Sequence, residues 1–318
     1  MQTEYQQTFK RPIWICGHRK CGTTLLTNLL DGHKSILNYG PDLRMIYALY
    51  DVFERFSSPA ERKDRFYELF FDDRTESHKI PKETVSSILD QLSFAEKEDI
   101  WLYLNFLCTE LGRDRHLVIK ETSSEHYFIN IRDNLDPLFI HTVRDPRDNW
   151  AAIAAGLDTY YSKFGETRYE ALSSMISRVN LGFSSLLLNL EISDPNNYLV
   201  VKFEDLVSEP SSILTKICDR VSLSFSKVLL EPTSGDKKYS GNSHDGEVFT
   251  GVSPKNVSRF NERLPSEEVA IIEAFCGPIM EYFGYKYSTN AHYRMLHAEK
   301  FYSFFNQRYF YYDKFNRI

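Results

Sequence analysis

The sequence predicts an α/β fold: a P-loop-like central parallel sheet, flanked by helices on both faces and forming a single domain. Three observations carry this expectation. Short unbroken apolar runs recur along the chain, as in strands buried on both faces. Stretches with helical spacing of leucines and other apolar residues separate them. The first run leads straight into a glycine-bounded loop, Gly-His-Arg-Lys-Cys-Gly-Thr-Thr at residues 17–24, and then into a helix-like pattern.

Ile13 to Cys16 is the first strand, and Thr23 to His33 follows with Leu25, Leu26, Leu29 and Leu30 at helical spacing. A helical stretch from Ala95 to Leu111 precedes the second strand, Leu117-Val118-Ile119-Lys120. The third run, Pro137 to Val143, leads into Arg144-Asp145-Pro146-Arg147-Asp148, where Pro146 suits the first turn of a helix continuing to Ala155. Tyr198 to Val201 is the fourth strand, and Phe203-Glu204-Asp205-Leu206 begins the turn after it. Segments 50–112 and 157–195 read as helix-rich, 233–258 as a Ser-, Gly-, Lys- and Asn-rich loop, and Glu267 to Phe283 as one amphipathic helix. The aromatic-rich tail, 290–318, is expected to dock on the main domain (1–289) or on a second subunit of a homodimer.

The 318 residues are enough for a sizeable core, and 42% hydrophobic with 26% charged residues is ordinary globular composition. A formal net charge of -6 argues against nucleic-acid binding through overall charge. No run approaches the roughly 18 apolar residues of a membrane span, and the polar N-terminus lacks the apolar middle of a secretory signal, so a cytoplasmic location is expected. The five cysteines are scattered and odd in number, which disfavours a disulfide framework. Cys16 and Cys21 lack a second cysteine pair or paired histidines, so they read as buried or loop thiols and no metal site is expected. His18, His33, His126, His141 and His244 have no partner visible in the sequence.

A loop between a buried strand and a helix start presents backbone N–H groups at the positive end of the helix dipole, which makes an anion site. Gly22 permits close backbone approach, and Thr23 and Thr24 add hydroxyl donors. The lysine that a nucleoside triphosphatase places after the second glycine is absent; Thr23 stands there, and Lys20 lies inside the loop. On residues alone the loop fits several phosphate-bearing ligands.

The stretch His-Arg-Lys-Cys-Gly-Thr-Thr-Leu-Leu resembles the loop by which sulfotransferases hold the 5′-phosphosulfate of PAPS (3′-phosphoadenosine 5′-phosphosulfate). Three further segments are similar to that family in the expected order: FIHTVRDPRDNWAA, YLVVKFEDLVSEP and the stretch from Gly241 to Tyr285. The resemblance implies PAPS as co-substrate, PAP (3′-phosphoadenosine 5′-phosphate) as product, and no required metal. It assigns Arg19, Lys20, Cys21, Gly22, Thr23 and Thr24 to the 5′-phosphosulfate and Arg144 to the 3′-phosphate. Ser243 and Arg259 are placed in the closing loop. Lys20 would neutralise the leaving phosphate. Asp42 falls where tyrosylprotein and bacterial-type members carry a catalytic glutamate, and is the candidate general base. Lys120 would stabilise the transferring sulfuryl group, with Glu121 the second candidate base.

The sequence departs from the family at three places. Ala152 replaces a serine eight residues after Arg144; Ser253, Lys255 or Arg259 could compensate. Thr122 stands where cytosolic members carry a histidine base, and Phe203 where a tyrosine is frequent. Sulfuryl transfer, like phosphoryl transfer, is dominated by positioning and charge stabilisation. The expected activity is transfer from PAPS to a hydroxyl or amine of a small-molecule or saccharide acceptor. The rivals are a P-loop kinase using ATP and magnesium, and a catalytically inactive sulfotransferase-like binding protein.

Overall fold

The computed structural model describes residues 9–39, 42–43, 52–70, 82–235, 237–239, 241, 244, 248–249 and 251–309. In chain order the principal elements are β1 (Ile13–Gly17), α1 (Thr23–Leu30), β2 (Ile36–Asn38), α2 (Pro59–Phe70), α3 (Lys82–Leu89), α4 (Asp99–Leu111), β3 (His116–Lys120), α5 (Phe128–Leu135) and β4 (Leu138–Val143). Then follow α6 (Pro146–Ala154), α7 (Arg168–Ile192), β5 (Tyr198–Lys202), α8 (Phe203–Ser208), α9 (Pro210–Arg220), α10 (Phe260–Arg263), α11 (Ser266–Phe275), α12 (Gly277–Phe283) and α13 (Ala291–Tyr309). The chain packs as two compact units: Met1–Val143 with Ser185–Asn242 and Glu247–Pro254, and Arg144–Ser184 with Ser243–Gly246 and Lys255–Ile318.

The first unit contains a five-stranded parallel sheet in the order β2-β3-β1-β4-β5, with helices on both faces. All five residues of β1 are buried, because both sheet faces are covered and no position can be polar-out. The strand alternation sorts the core. Trp14, Cys16, Leu117, Ile119 and Phe139 meet α3, α4 and α5 on one face. Ile13, Ile15, Val118, Leu138 and Ile140 meet α1 and α9 on the other. β2 has only three residues and carries no run long enough to be recognised from the sequence. The expected turn after β5 is instead a short helix, α8, with Glu204 and Asp205 in its first turn, where carboxylates suit the positive helix end.

In the second unit Trp150 and Ile153 of α6 pack with Leu172, Met175, Ile176 and Val179 of α7, Ile272 of α11 and Phe301 of α13. By length and composition α7 could cross a membrane; its Leu172, Met175, Ile176 and Val179 are buried in this unit. The start of α6 follows the expected chemistry: Pro146 occupies the first turn and Asp145 caps it, its side chain accepting from the Arg147 N–H at 2.9 Å. The single helix expected from Glu267 to Phe283 is two, since α11 ends at Phe275 and α12 restarts at Gly277 with Pro278 in its first turn. Pro278 has no N–H to continue the ladder. Of the aromatic tail, Ala291–Tyr309 is helical and lies against α11 within this unit, with Phe301 buried.

Candidate active site

The loop after β1 is shaped by sterics before chemistry. Gly17 has φ +134°, and a Cβ there would lie 2.3 Å from the Thr142 carbonyl oxygen of β4. Gly22 has φ +93°, and a Cβ there would lie 2.6 Å from the Phe203 ring. Between them Lys20 adopts a left-handed backbone, φ 68°. The Cys21 N–H donates to the His18 carbonyl at 3.1 Å, closing the loop on itself. Gly22 caps α1, whose first turn holds no acidic residue. The leading N–H groups of α1 are therefore turned to a cradle that no carboxylate of its own helix occupies. Arg19 and Lys20 are half-buried, Cys21 and Thr23 buried, and Thr24 half-buried.

Three groups distant in sequence converge beside this loop. Lys120, buried at the end of β3, donates from Nζ to Thr24 Oγ1 at 3.3 Å. The same ammonium lies 3.4 Å from Asp42 Oδ1. Thr122 then fixes that oxygen twice, its hydroxyl donating at 2.6 Å and its backbone N–H at 3.2 Å. Among the described residues no hydrogen bond reaches Asp42 Oδ2, and the Asp42 side chain is 38% exposed. The arrangement offers a fixed carboxylate next to a cation shared with the loop. Glu121, the other acid considered, is fully buried. Thr122, which stands where cytosolic members carry a histidine base, supports Asp42 instead.

Arg144 directly follows β4 in the chain and belongs to the second unit. Its Nη2 donates to the Asn256 carbonyl at 2.6 Å, while Arg259 Nη1 donates to Asn256 Oδ1 at 3.1 Å. The structure thus gathers these two arginines of the sequence reading around one residue that reading did not single out. Asp148 organises the same segment: its carboxylate accepts from the N–H groups of Ser258 at 2.6 Å and Phe260 at 2.9 Å. Burial pushes the Asp148 carboxyl up, against the opposing pull of Arg144 and these two N–H donors. Arg147 is spoken for structurally. It pairs with Asp145 at 2.7 Å and Glu273 at 2.6 Å, with its guanidinium 4.1 Å from the centre of the Phe260 ring. Ser243 lies outside the described residues. His244 stacks on Tyr160, ring centres 5.0 Å apart, and meets Tyr161 edge-on.

A sulfotransferase-family model matches residues 12–227 of the chain. The fold is similar to a sulfotransferase domain from the curacin biosynthetic pathway, with a TM-score of 0.56 and 19% identity over 87% of this chain and 98% of that one. A sulfotransferase domain from the Synechococcus PCC 7002 olefin synthase gives 0.52 and 21% over 87% and 98%. The sulfotransferase STF9 from Mycobacterium avium gives 0.51 and 13% over 89% and 79%.

Proposed function

From the premise that this chain belongs to the sulfotransferase family, we propose that it transfers a sulfuryl group from PAPS to a hydroxyl or amine of a small-molecule or saccharide acceptor. The observation that carries this reading is the contiguity of loop, cation and carboxylate: Thr24, Lys120 and Asp42 are joined within hydrogen-bond and ion-pair distance. The cradle left at Gly22, with no acidic residue in the first turn of α1, suits a 5′-phosphate.

PAPS, when bound, supplies a sulfuryl group activated by its attachment to the 5′-phosphate. The loop N–H groups and the hydroxyls of Thr23 and Thr24 bind that phosphate, with Arg19 and Cys21 as neighbouring loop contacts. Lys20 neutralises the charge that grows on the bridging oxygen as its bond to sulfur breaks, doing in the loop what magnesium does for nucleoside triphosphates. Lys120 balances the charge on the sulfuryl oxygens. Asp42 accepts the acceptor proton at Oδ2 as the acceptor oxygen or nitrogen bonds to sulfur. Thr122 holds the carboxylate for that transfer. Arg144 takes the 3′-phosphate and Arg259 assists it, with Asn256 orienting both guanidinium groups.

The test is ligand-induced stabilisation followed by turnover. PAP should raise the melting temperature more than AMP or ATP does, because neither of those carries a 3′-phosphate. Lys20→Ala should cut sulfuryl transfer by roughly a hundredfold or more, the scale set by removing one charge-stabilising donor. Equal shifts from the three nucleotides, or full transfer by Lys20→Ala, sinks the assignment.

A further inference from the structure

A second cluster lies one layer beneath the loop, on the sheet face that meets α3, α4 and α5. Cys16 is the penultimate residue of β1 and stands directly opposite His141 on β4 in the parallel register. Glu125, at the start of the 3-10 turn Glu125–Tyr127 that follows β3, reaches the same point. A sulfur, a carboxylate oxygen and a ring nitrogen from these three side chains all lie within 4.8 Å of one another. Their residues are 0%, 2% and 3% exposed. Among the described residues Glu125 Oε2 has no hydrogen-bond partner within normal distance, a costly state for a buried carboxylate oxygen.

We propose that Cys16, Glu125 and His141 form a buried site for one thiophilic divalent cation, Zn2+ by its donor set. Sulfur, nitrogen and carboxylate oxygen are the three ligand types zinc takes. Zinc–ligand bonds of about 2.0–2.3 Å place tetrahedral ligands about 3.5 Å apart, so a cluster within 4.8 Å closes by small side-chain rotations. A bound Zn2+ would hold Cys16 as a thiolate and Glu125 as a carboxylate. It forms bonds to sulfur, oxygen and nitrogen, and the thiol proton, with the carboxyl proton where present, passes to solvent. A surrounding layer is already in place: His141 Nδ1 bonds Tyr198 Oη at 2.8 Å, and Asn189 Nδ2 reaches both Tyr198 Oη at 3.4 Å and the Glu125 carbonyl at 2.9 Å. The ion would tie the end of β1, and hence Gly17 and the loop, to β4 and to the turn after β3. The proposal stands or falls independently of the proposed transfer reaction.

The experiment is metal analysis of the full chain, expressed with added zinc and dialysed against metal-free buffer. About one zinc per chain is expected, and cobalt substitution should give a thiolate-to-cobalt charge-transfer absorption. Cys16→Ser, Glu125→Gln and His141→Asn should each lose the metal. Tyr198→Phe, which keeps all three ligands, should bind zinc about tenfold more weakly. A cooperatively folded wild-type chain without stoichiometric zinc and without the cobalt band overturns the proposal. So does zinc retained at wild-type level in the three ligand variants. Should those variants fail to fold, the wild-type metal content and the Tyr198→Phe affinity decide it.

Discussion

Replacing Thr122 by valine removes one hydroxyl and leaves shape nearly unchanged, so it isolates the support of Asp42. The hydroxyl donates to Asp42 Oδ1 at 2.6 Å, while the backbone N–H at 3.2 Å and Lys120 at 3.4 Å remain. A hydrogen bond to a charged group contributes about 1.5–3 kcal/mol when shielded from water. Because the Asp42 side chain is 38% exposed, solvent screening reduces this to about 1–2 kcal/mol. At 1.36 kcal/mol per decade, Thr122→Val should lower kcat roughly 5- to 30-fold. KM for the acceptor and for PAPS should change little, since the lost contact orients the proposed base rather than a substrate. Thr122→Ser keeps the donor and should recover most of the rate. The assay is initial-rate transfer from labelled PAPS, repeated in an Asp42→Asn background. There the valine substitution should have no further effect, because the oxygen it orients no longer acts as a base. An unchanged kcat, a loss confined to KM, or full additivity with Asp42→Asn would refute the positioning argument.

Other substitutions probe the remaining geometry. Gly22→Ala places a methyl group 2.6 Å from the Phe203 ring at φ +93°, and should destabilise by about 1–3 kcal/mol by thermal or denaturant melting. Adding Phe203→Leu should return part of that loss, because one of the two conflicts is relieved. Arg144→Ala should weaken PAP binding about tenfold to a hundredfold by calorimetry while leaving AMP binding nearly unchanged, and Arg144→Lys should not restore the forked contact. Glu273→Gln should cost about 1–3 kcal/mol, because buried Arg147 keeps Asp145 but loses one of its two charged partners. Burial works to raise the Glu273 carboxyl, but donors from Thr289 and Ser288 outweigh it and hold the group below its ordinary 4.5. A depressed carboxyl lends stability that is full above about pH 4.5 and lost as pH falls through its folded value. The wild type should therefore lose stability on acidification in that window, and Glu273→Gln should lose less.

Local pattern carried the sheet's four main strands because each is a short apolar run, with β1, β3 and β4 buried along their whole length. The same pattern was silent at β2, where three residues are too few to show a period. It merged α11 with α12, because the apolar spacing runs on past Cys276 while Pro278 interrupts only the hydrogen-bond ladder. The loop glycines, Lys20 and the arginine after β4 were legible as types at fixed spacings. Thr122 was legible only as a departure from the family, since its partner lies 80 residues away.

The sequence by itself determined the strand–loop–helix that makes an anion cradle, the cation within it, and membership of a family that transfers sulfuryl groups. It determined these because dihedral preference, apolar period and loop spacing are properties of neighbouring residues. Only the tertiary structure decided which side chains meet. Lys120 bonds Thr24 across 96 residues, Asp42 rests on Thr122, and Cys16 faces His141 with Glu125 between far-apart segments. Parallel strands joined by crossovers bring their C-terminal ends side by side, and register selects the residues that stand opposite one another there. No local period encodes that register, so the chemistry of the site was assembled by the packing of the sheet.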